Sequence, residues 1–534
     1  MSERRQIRQL GDGDAVFVSM ETDEAPSHIA ALTLLDPSTS SSFGFERFLE
    51  TLSERIDLVP RFKWKLREVP LGLDRAYWVE DRGFAASKHV ERVAVPAPGD
   101  RAALSRLAGF LHARALDRSR PLWECWWIEG MEDGRIAILM KIHHCLMDGQ
   151  SGIGLTEVLM DLSPEPDREV SPSQDMWEAP PRSPLFWEVA RGAVVNGIRR
   201  QGRLAMYAGR AARDYLQNLS ETNQPSPSSN VPRVSFNRRL SRDREFAFTT
   251  LPLQRLRDTK KHFDVKMNDV LLEIVSSSVR RGLQQLGDLP TSSLVALCPI
   301  SLREPGDQSF GNQITSMPVT MATHLADPRE RLAVIHASAE RAKQRAREGA
   351  FEYITALAES LAPGALQLVM QAAHGVSDYA PIPANFVFSN VRGLPIPTYM
   401  AGARVEELYP MSMLQVANGL NVTAVTHDDQ VDFGFLVDPK LIPDPWIFAK
   451  GVRGALEELE AATQELASRP IAAKGMTTRP RAATGPKIEF KGRPVDVLRE
   501  VESGPEIAPE PDPLDLSLIM ASIDRIRSAR EEFI

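Results

Sequence analysis

Residues 123–144, WECWWIEGMEDGRIAILMKIHH, leave few choices of fold. Two apolar runs flank the polar stretch Glu132–Gly134, a pattern typical of a β-hairpin. In the second run, side chains alternate between a face with Ile136, Ile138, Met140, Ile142 and His144 and a face with Arg135, Ala137, Leu139, Lys141 and His143. A strand would therefore direct the two adjacent histidines to opposite faces, with His144 continuing the apolar side.

The rest of the chain mixes helical and strand patterns in both halves. FERFLETLSERI and VKMNDVLLEIVSSSVRRGLQQL have helical spacing, whereas FVSME, IAALTLL, SLVALCPISL, NFVFSNV and QVDFGFLVD read as strands. Two Pro- and Ser-rich linkers enclose an arginine-rich helix between the halves. We therefore predict an α/β chain of the α+β type with an N-terminal subdomain (1–165), a linker and basic crossover helix (166–235), a C-terminal subdomain (236–466) and a flexible tail ending in a short amphipathic helix (467–534).

Composition excludes several classes of protein. A net charge of -8 argues against a general nucleic-acid binder, because phosphate binding relies on a basic surface. No stretch reaches the roughly 18 apolar residues that a bilayer span requires, and no secretory signal is visible. The cysteines are Cys125, Cys145 and Cys298, without CxxC pairs, which predicts buried reduced thiols rather than disulfides or structural zinc.

The histidine pair in MKIHHCLMDGQSG has three interpretations. It is a satisfied pair at a strand end followed by an Asp148–Gly149 turn, or His144 and Asp148 are metal ligands on a helix, or a neutral imidazole is a general base. Strand-like alternation before His144 and the glycine after Asp148 both oppose the helical metal site. We therefore predict no metal.

The whole string H-H-x-x-x-D-G resembles the active-site motif of the CoA-dependent acyltransferase superfamily. Further pieces, in order over roughly residues 7–465, resemble the bacterial wax ester synthase/diacylglycerol acyltransferase family: LGDGDAVFVSMETDEAPSHIAAL, VPRFKWKL, DRSRPLWECWWIEG, MNDVLLEIVSSSVRRGL, CPISLRE with FGNQITSMPV, and FVFSNVRGLPIPTYMAGARV. The resemblance implies two chloramphenicol-acetyltransferase-like subdomains, each a mixed sheet with flanking helices, and an active site in the tunnel between them.

The resemblance also implies an activity. A long-chain acyl group would pass directly from acyl-CoA to a hydroxyl of diacylglycerol or of a long-chain fatty alcohol, without a cofactor and without a serine nucleophile. Alternatives are a non-catalytic lipid-binding or lipid-droplet protein that keeps the fold, and a condensation-type acyltransferase with another acceptor. The intact motif favours catalysis, and the absence of a recognisable carrier domain disfavours condensation.

Site roles follow from the same resemblance. His144 would be the general base and His143 a supporting residue, Asp148 would be structural, and Gly149 would permit close backbone approach. As the arginine partner of Asp148, Arg61 is the first candidate and Arg303 the second.

Asn268 and Asp269 are either a helix-capping pair or part of the substrate-binding side contributed by the second subdomain. The apolar run ITALAESLAPGALQLVMQAAHG is either a wall of the acyl channel or a core helix. The arginines between residues 191 and 213 either bind an anionic membrane or cover a solvated helix. We expect a cytoplasmic protein peripherally associated with the inner membrane face or with lipid droplets, and no nucleic-acid partner.

Overall fold

The computed structural model describes residues 6–146, 159–165, 181–218, 231–301, 314–347, 358–391, 393–468, 488–490 and 493–495. Within these ranges the chain builds two six-stranded sheets, each containing parallel and antiparallel pairs and packed against helices. The predicted mixed architecture with two sheet-based subdomains is therefore confirmed.

The strands are β1 (Arg8–Gln9), β2 (His28–Asp36), β3 (Trp64–Arg67), β4 (Tyr77–Glu80), β5 (Val90–Ala94), β6 (Trp123–Glu129), β7 (Ile136–His143), β8 (Glu245–Pro252), β9 (Val295–Ser301), β10 (Ile314–Thr320), β11 (Phe386–Val391), β12 (Tyr399–Met400), β13 (Ala403–Met411), β14 (Leu420–His427), β15 (Gln430–Val437), β16 (Ile488–Phe490) and β17 (Arg493–Val495). The helices are α1 (Asp12–Met20), α2 (Phe45–Asp57), α3 (Arg101–Ala113), α4 (Phe186–Asn218), α5 (Leu253–Phe263), α6 (Met267–Leu286), α7 (Pro328–Arg347), α8 (Pro363–Val376) and α9 (Trp446–Ser468).

The N-terminal sheet has the order β12-β13-β2-β7-β6-β5. Strands β6 and β7 pair antiparallel, which confirms the hairpin that the sequence predicts. Its alternation is also observed, because Ile138 and Ile142 join one hydrophobic cluster whereas Ala137 and Leu139 join another on the opposite face. Both faces of β7 are thus covered, and the strand ends at the histidine pair inside the protein.

The C-terminal sheet has the order β10-β9-β11-β14-β15-β8. Helices α6, α7 and α9 pack together beside it and contribute to its largest hydrophobic cluster. A smaller sheet, β1-β4-β3, lies beside the N-terminal sheet, and β16 and β17 pair as a separate hairpin. The amphipathic helix predicted near the end of the tail lies outside the described residues.

Strand β13 connects the two halves. It follows the C-terminal strand β11 in sequence, yet it pairs antiparallel with β2 of the N-terminal sheet, from Arg404 opposite Asp36 to Met411 opposite Ala30. Beyond it, a side chain on Gly434 of β15 would collide with the carbonyl oxygen of Pro410, so β13 and β15 approach as only glycine allows. The two sheets therefore share a strand-to-strand contact rather than a loose linker.

The strand predicted for FVSME is wrong, because these residues fall in and directly after helix α1. Asp12 and Asp14 occupy the first turn, where carboxylates favour the positive end of the helix dipole. Ser19 donates to the carbonyl oxygen of Ala15 at 2.7 Å, as helical spacing permits. A run of five residues is too short for periodicity to distinguish strand from helix, and packing of α1 against α8 accompanies the helical outcome.

Candidate active site

The histidine pair lies where β7 ends. His143 is the last residue of the strand, is opposite His28 of β2, and is buried. His144 is the first residue of the following turn and is half-buried. The backbone N–H of His144 donates to the carbonyl oxygen of Ser27 at 2.9 Å, which connects the turn to the segment between α1 and β2. The end of a strand covered on both faces therefore presents one fully enclosed imidazole and one that is partly accessible.

Both nitrogens of His143 face protein groups. The N–H of Cys145 donates to Nδ1 at 3.1 Å, and Nε2 lies 3.6 Å from Oε2 of Glu21. Because Nδ1 accepts a hydrogen bond, the proton of a neutral ring belongs on Nε2, facing the carboxylate. His143 thus contacts the turn with one ring nitrogen and faces Glu21 with the other. This position suits a residue that stabilises the site rather than one that exchanges a proton with a substrate.

Glu21 organises the segment around both histidines. Its carboxylate accepts hydrogen bonds from Nη2 of Arg118 at 2.5 Å and from the backbone N–H of Ser27 at 3.2 Å. Burial by itself raises the pKa of Glu21, but the hydrogen bond and charge of His143 and the guanidinium of Arg118 outweigh it and lower the pKa to about 2. A carboxylate that stays ionised therefore holds Ser27, whose carbonyl oxygen accepts the backbone N–H of His144.

The ring of His144 is stacked on Phe17 of α1. The ring centroids are 3.9 Å apart and the planes differ by 8°. An aromatic pair of this kind contributes about 0.5–1.5 kcal/mol beyond its buried area, and here it also defines the plane of the imidazole. Neither Phe17 nor Glu21 was assigned a role from sequence, although both lie in the stretch LGDGDAVFVSMETDEAPSHIAAL that carries part of the resemblance.

Polar residues behind the pair serve packing. Lys141 is fully buried, donates to the carbonyl oxygens of Leu111 and Arg114 at 3.1 and 2.7 Å, and so satisfies the C-terminal end of α3. Burial lowers the pKa of His28 and of His112 well below 6.5, so both rings are neutral. Among the residues that the structure describes, no group of three His, Cys, Asp or Glu side chains is arranged to hold a metal ion.

The predicted pair Asn268 and Asp269 lies at the beginning of α6, in the second subdomain. Asp269 is buried and its Oδ2 accepts from the N–H of Lys266 at 3.1 Å, so it stabilises the first helical turn as a cap does. The same oxygen lies 2.7 Å from Nδ1 of His336, whose pKa it raises through this hydrogen bond. Asn268 instead accepts from Nδ2 of Asn390 at 3.3 Å, next to the end of β11. His336 was missed from sequence, where it is one polar residue within an ordinary helical pattern.

Helix α8 borders the histidine site from the C-terminal half. It packs against α1, and Nε2 of its His374 lies 3.8 Å from Oε2 of Glu24, three residues after Glu21. The backbones of Gly72 and Gly364 also touch, since a side chain on either would overlap the other chain segment. Only Leu366 and His374 of α8 are buried, so residues 363–375 of this apolar run do not form a core helix. Residues 354–357 of the run lie outside the described residues, and the role of the run as a channel wall stays a prediction.

Other predicted residues are only partly placed. Asp148, Gly149 and Arg303 lie outside the described residues, so their predicted roles stay predictions. Arg61 lies in the short 3-10 helix Pro60–Lys63. All three cysteines are buried and reduced, and burial raises the pKa of Cys145 well above 9.0, which leaves it a thiol next to the histidines.

Comparison with known families covers most of the chain. A family model described as the wax ester synthase/diacylglycerol acyltransferase catalytic domain matches residues 10–271, and the model of the C-terminal domain of the same family matches residues 310–460. The first range contains the histidine site, and the second contains strands β10, β11, β14 and β15 of the C-terminal sheet.

Similar proteins agree with these matches. MT1809 of Mycobacterium tuberculosis (strain CDC 1551 / Oshkosh), named by inference as a diacylglycerol O-acyltransferase, is 31% identical over 474 residues, covering 85% of this chain and 90% of its own. Rv3740c of strain ATCC 25618 / H37Rv, named in the same way, is 32% identical over 453 residues, covering 84% and 98%. The solved wax ester synthase/diacylglycerol acyltransferase from Marinobacter aquaeolei VT8 aligns with a TM-score of 0.60 at 25% identity, covering 85% of this chain and 100% of its own.

Proposed function

The chain belongs to the wax ester synthase/diacylglycerol acyltransferase family, and on that premise we propose that it transfers a long-chain acyl group from acyl-CoA to a hydroxyl of diacylglycerol, of a long-chain fatty alcohol, or of both. The observation that carries the proposal is that the two histidines have different surroundings. His143 is enclosed and engaged at both nitrogens, whereas His144 is half-buried and oriented by Phe17.

His144 is the general base in this mechanism. Its neutral imidazole takes the proton of the acceptor hydroxyl while the oxygen attacks the thioester carbonyl carbon. The tetrahedral oxyanion then collapses, the carbon–sulfur bond breaks, and the CoA thiolate takes the proton back from His144. The acyl group passes directly from sulfur to oxygen, so no acyl-enzyme forms and no cofactor takes part.

The neighbouring contacts support such a base. Stacking on Phe17 restricts the plane of the His144 ring. The hydrogen bond from the backbone N–H of His144 to the carbonyl oxygen of Ser27 fixes the backbone that carries the ring. Orientation of this kind matters because displacing a reacting group by about 1 Å can cost roughly 10²-fold in rate. Glu21 acts one step further away, through Ser27 and His143.

An apolar acceptor needs an apolar approach, and α8 offers one beside α1. Leu368 and Val369 on α8 and Leu71 opposite the start of that helix are exposed, although their neighbours Gly72 and Gly364 are in contact. A group of exposed apolar side chains at a cleft is typical of a surface that binds an apolar ligand, a membrane or another protein. We assign this border of the site to the acyl chains of the acceptor.

Access to such acceptors implies attachment to a membrane or a lipid droplet. No helix among the described residues is both long and apolar enough to cross a bilayer. Helix α4 has an outward face with Trp187, Val194 and Ile198, which are 58%, 65% and 68% exposed. Arg191 and Arg199 flank this face, so peripheral binding to an anionic surface is the mode that α4 suits.

The test is a transfer assay with purified protein and labelled palmitoyl-CoA, offering hexadecanol and diacylglycerol in parallel. Ester formation with either acceptor supports the proposal, and the ratio of products assigns the acceptor. Amide formation with an added amine, and no ester, would favour a condensation-type enzyme. Tight lipid binding without any transfer would favour a non-catalytic lipid-binding protein.

A further inference from the structure

A cavity of about 480 Å³ lies between the beginning of α1 and the middle of α4, apart from the histidine pair. Four arginines line it, Arg75, Arg199, Arg200 and Arg203, against a single carboxylate, Asp12. Three of these arginines lie within five residues of one another on α4, so helical spacing places them together on one side of the helix.

The four guanidinium groups differ in how they are held. Arg200 is buried, with Nη1 2.7 Å from Oδ1 of Asp74 and Nη2 2.6 Å from the carbonyl oxygen of Leu73. Arg75 and Arg203 share Asp12, at 2.8 and 3.0 Å. Arg199 is exposed and forms no ion pair or hydrogen bond with any other described residue.

Charge in the cavity is therefore incompletely balanced. Asp74 neutralises Arg200, and Asp12 neutralises one of the pair Arg75 and Arg203, so two positive charges remain. The Nε of Arg203 is also buried without a hydrogen-bond partner among the described residues. Glu359 is another acidic group near Arg203, and burial together with the charge of Asp12 raises its pKa. Leaving guanidinium donors unfilled in a partly enclosed cavity is costly unless an anion binds there.

We propose that this cavity binds a phosphate group. Guanidinium groups fit phosphate oxygens with paired charge-assisted hydrogen bonds, and Arg199 and Arg203 lie one helical turn apart, in position to contact the same group. Asn196, which also lines the cavity, is held by Gln9 and Asp74 at 3.0 and 2.8 Å and keeps that wall rigid. The site is thus built from fixed residues on one side and a free cation on the other.

The cavity is linked to the histidine site through α1. Asp12 begins this helix and Phe17, which stacks on His144, follows five residues later, about 7.5 Å along the axis. The phosphate has two sources that fit this location, the CoA moiety of an acyl donor or the headgroup of an anionic phospholipid beneath α4. The first source rests on the proposed function, whereas the second does not.

Equilibrium binding without turnover tests the site on the full chain. We compare wild type, Arg199→Glu and the matched control Arg191→Glu, which changes an exposed arginine on the same outward face but outside the cavity, and so reports how strongly each probe responds to the charge of that face alone. The probes are CoA, 3′-dephospho-CoA, inorganic phosphate as competitor, and phosphatidylglycerol vesicles with phosphatidylcholine vesicles as the neutral reference. Thermal melts verify folding, and Arg199→Gln replaces the glutamate variant if that variant is unstable.

Arg199→Glu is expected to weaken binding of one probe by at least about tenfold more than Arg191→Glu does, as the loss of a charge-assisted bond predicts. If the affected probe is CoA, the donor is the source; if it is the phosphatidylglycerol vesicle, the headgroup is the source. Equal effects of the two variants on every probe, or no effect, would overturn the proposal. A chain that binds as expected but transfers no acyl group would instead refute the proposed function and leave the phosphate site standing.

Discussion

Oε2 of Glu21 lies 3.6 Å from Nε2 of His143, and the other carboxylate oxygen accepts the N–H of Ser27, whose carbonyl oxygen receives the N–H of His144. One ionised side chain therefore contacts the first histidine directly and positions the second through a single residue, Ser27. Because Arg118 binds the same carboxylate, three segments distant in sequence meet at the histidine pair.

We expect His144→Ala to lower the rate of acyl transfer by roughly 10²–10⁴-fold, because the general base is removed. His143→Ala should reduce the rate less but lower the melting temperature more, since this ring is buried, accepts the N–H of Cys145 at Nδ1 and contacts the carboxylate of Glu21 with Nε2. Steady-state rates and thermal melts of both variants check this pair. Equal rate losses at equal stability would contradict the separate roles.

Glu21→Gln is expected to reduce kcat about tenfold with little change in KM, because Gln still accepts from Ser27 but no longer balances Arg118 and His143. It should also destabilise the fold by about 1–2 kcal/mol, less than for a fully buried pair because Arg118 also binds Glu68. The folded-state pKa of Glu21, about 2, is below the unfolded value of 4.5, so its stabilisation is complete above pH 4.5. The stability difference between wild type and variant should shrink as the pH falls from 4.5 towards 2, and a difference independent of pH would contradict the ionised carboxylate.

Phe17→Leu is expected to lower kcat roughly three- to tenfold, since leucine fills similar space but has no flat face on which the imidazole can stack. Phe110→Leu is the matched control, because Phe110 is a mostly exposed phenylalanine on α3. The pH dependence of kcat/KM, measured for both variants, reports whether the base itself is altered. Loss of activity in the control as well would assign the effect to general destabilisation.

Asp432 predicts a pH-dependent stability. Burial raises its pKa to about 7, although the hydroxyl of Thr250 and the N–H of Leu408 oppose the shift. Because the folded-state pKa is above the unfolded value of 3.8, the folded protein binds the extra proton, and stability falls as the pH rises from about 4 through 7. Asp432→Asn should remove up to about 4 kcal/mol of this dependence, as three pKa units imply. Denaturation from pH 5 to 8 measures it, with the exposed Asp258→Asn as the control that should keep the wild-type slope.

Vesicle co-sedimentation tests the outward face of α4. Trp187→Ala with Ile198→Ala should lower binding to anionic vesicles about tenfold or more, since each side chain forfeits roughly 1.5 kcal/mol or more of burial. Leu286→Ala, on the exposed side of α6, should leave binding unchanged. Neutralising Arg200 is a poor test, because that arginine is buried against Asp74 and its loss would damage the fold. Undiminished binding of the double variant would remove α4 from the attachment surface.

Much of the fold is predictable from local pattern. The β6–β7 hairpin and helices α2 and α6 follow from alternation and helical spacing, because each forms from a short continuous segment with its own periodic pattern. The exchange of β13 into the N-terminal sheet is not predictable in this way, since the strand has no local signal that names β2 as its partner. Helix α1 was read as a strand for the related reason that five residues are compatible with both periods.

The histidine site divides along the same line. The alternation of residues 135–144 predicts that His143 and His144 lie at the end of a strand. The ordered motifs are sufficient to recognise the family. Which histidine is enclosed, and by what, depends on Glu21, Phe17 and Arg118, which approach from α1 and from the loop after α3. Such contacts join residues separated by roughly 100 positions or more, and only the packing of α1 and β2 against β7 brings them within reach, so no local periodicity could reveal them.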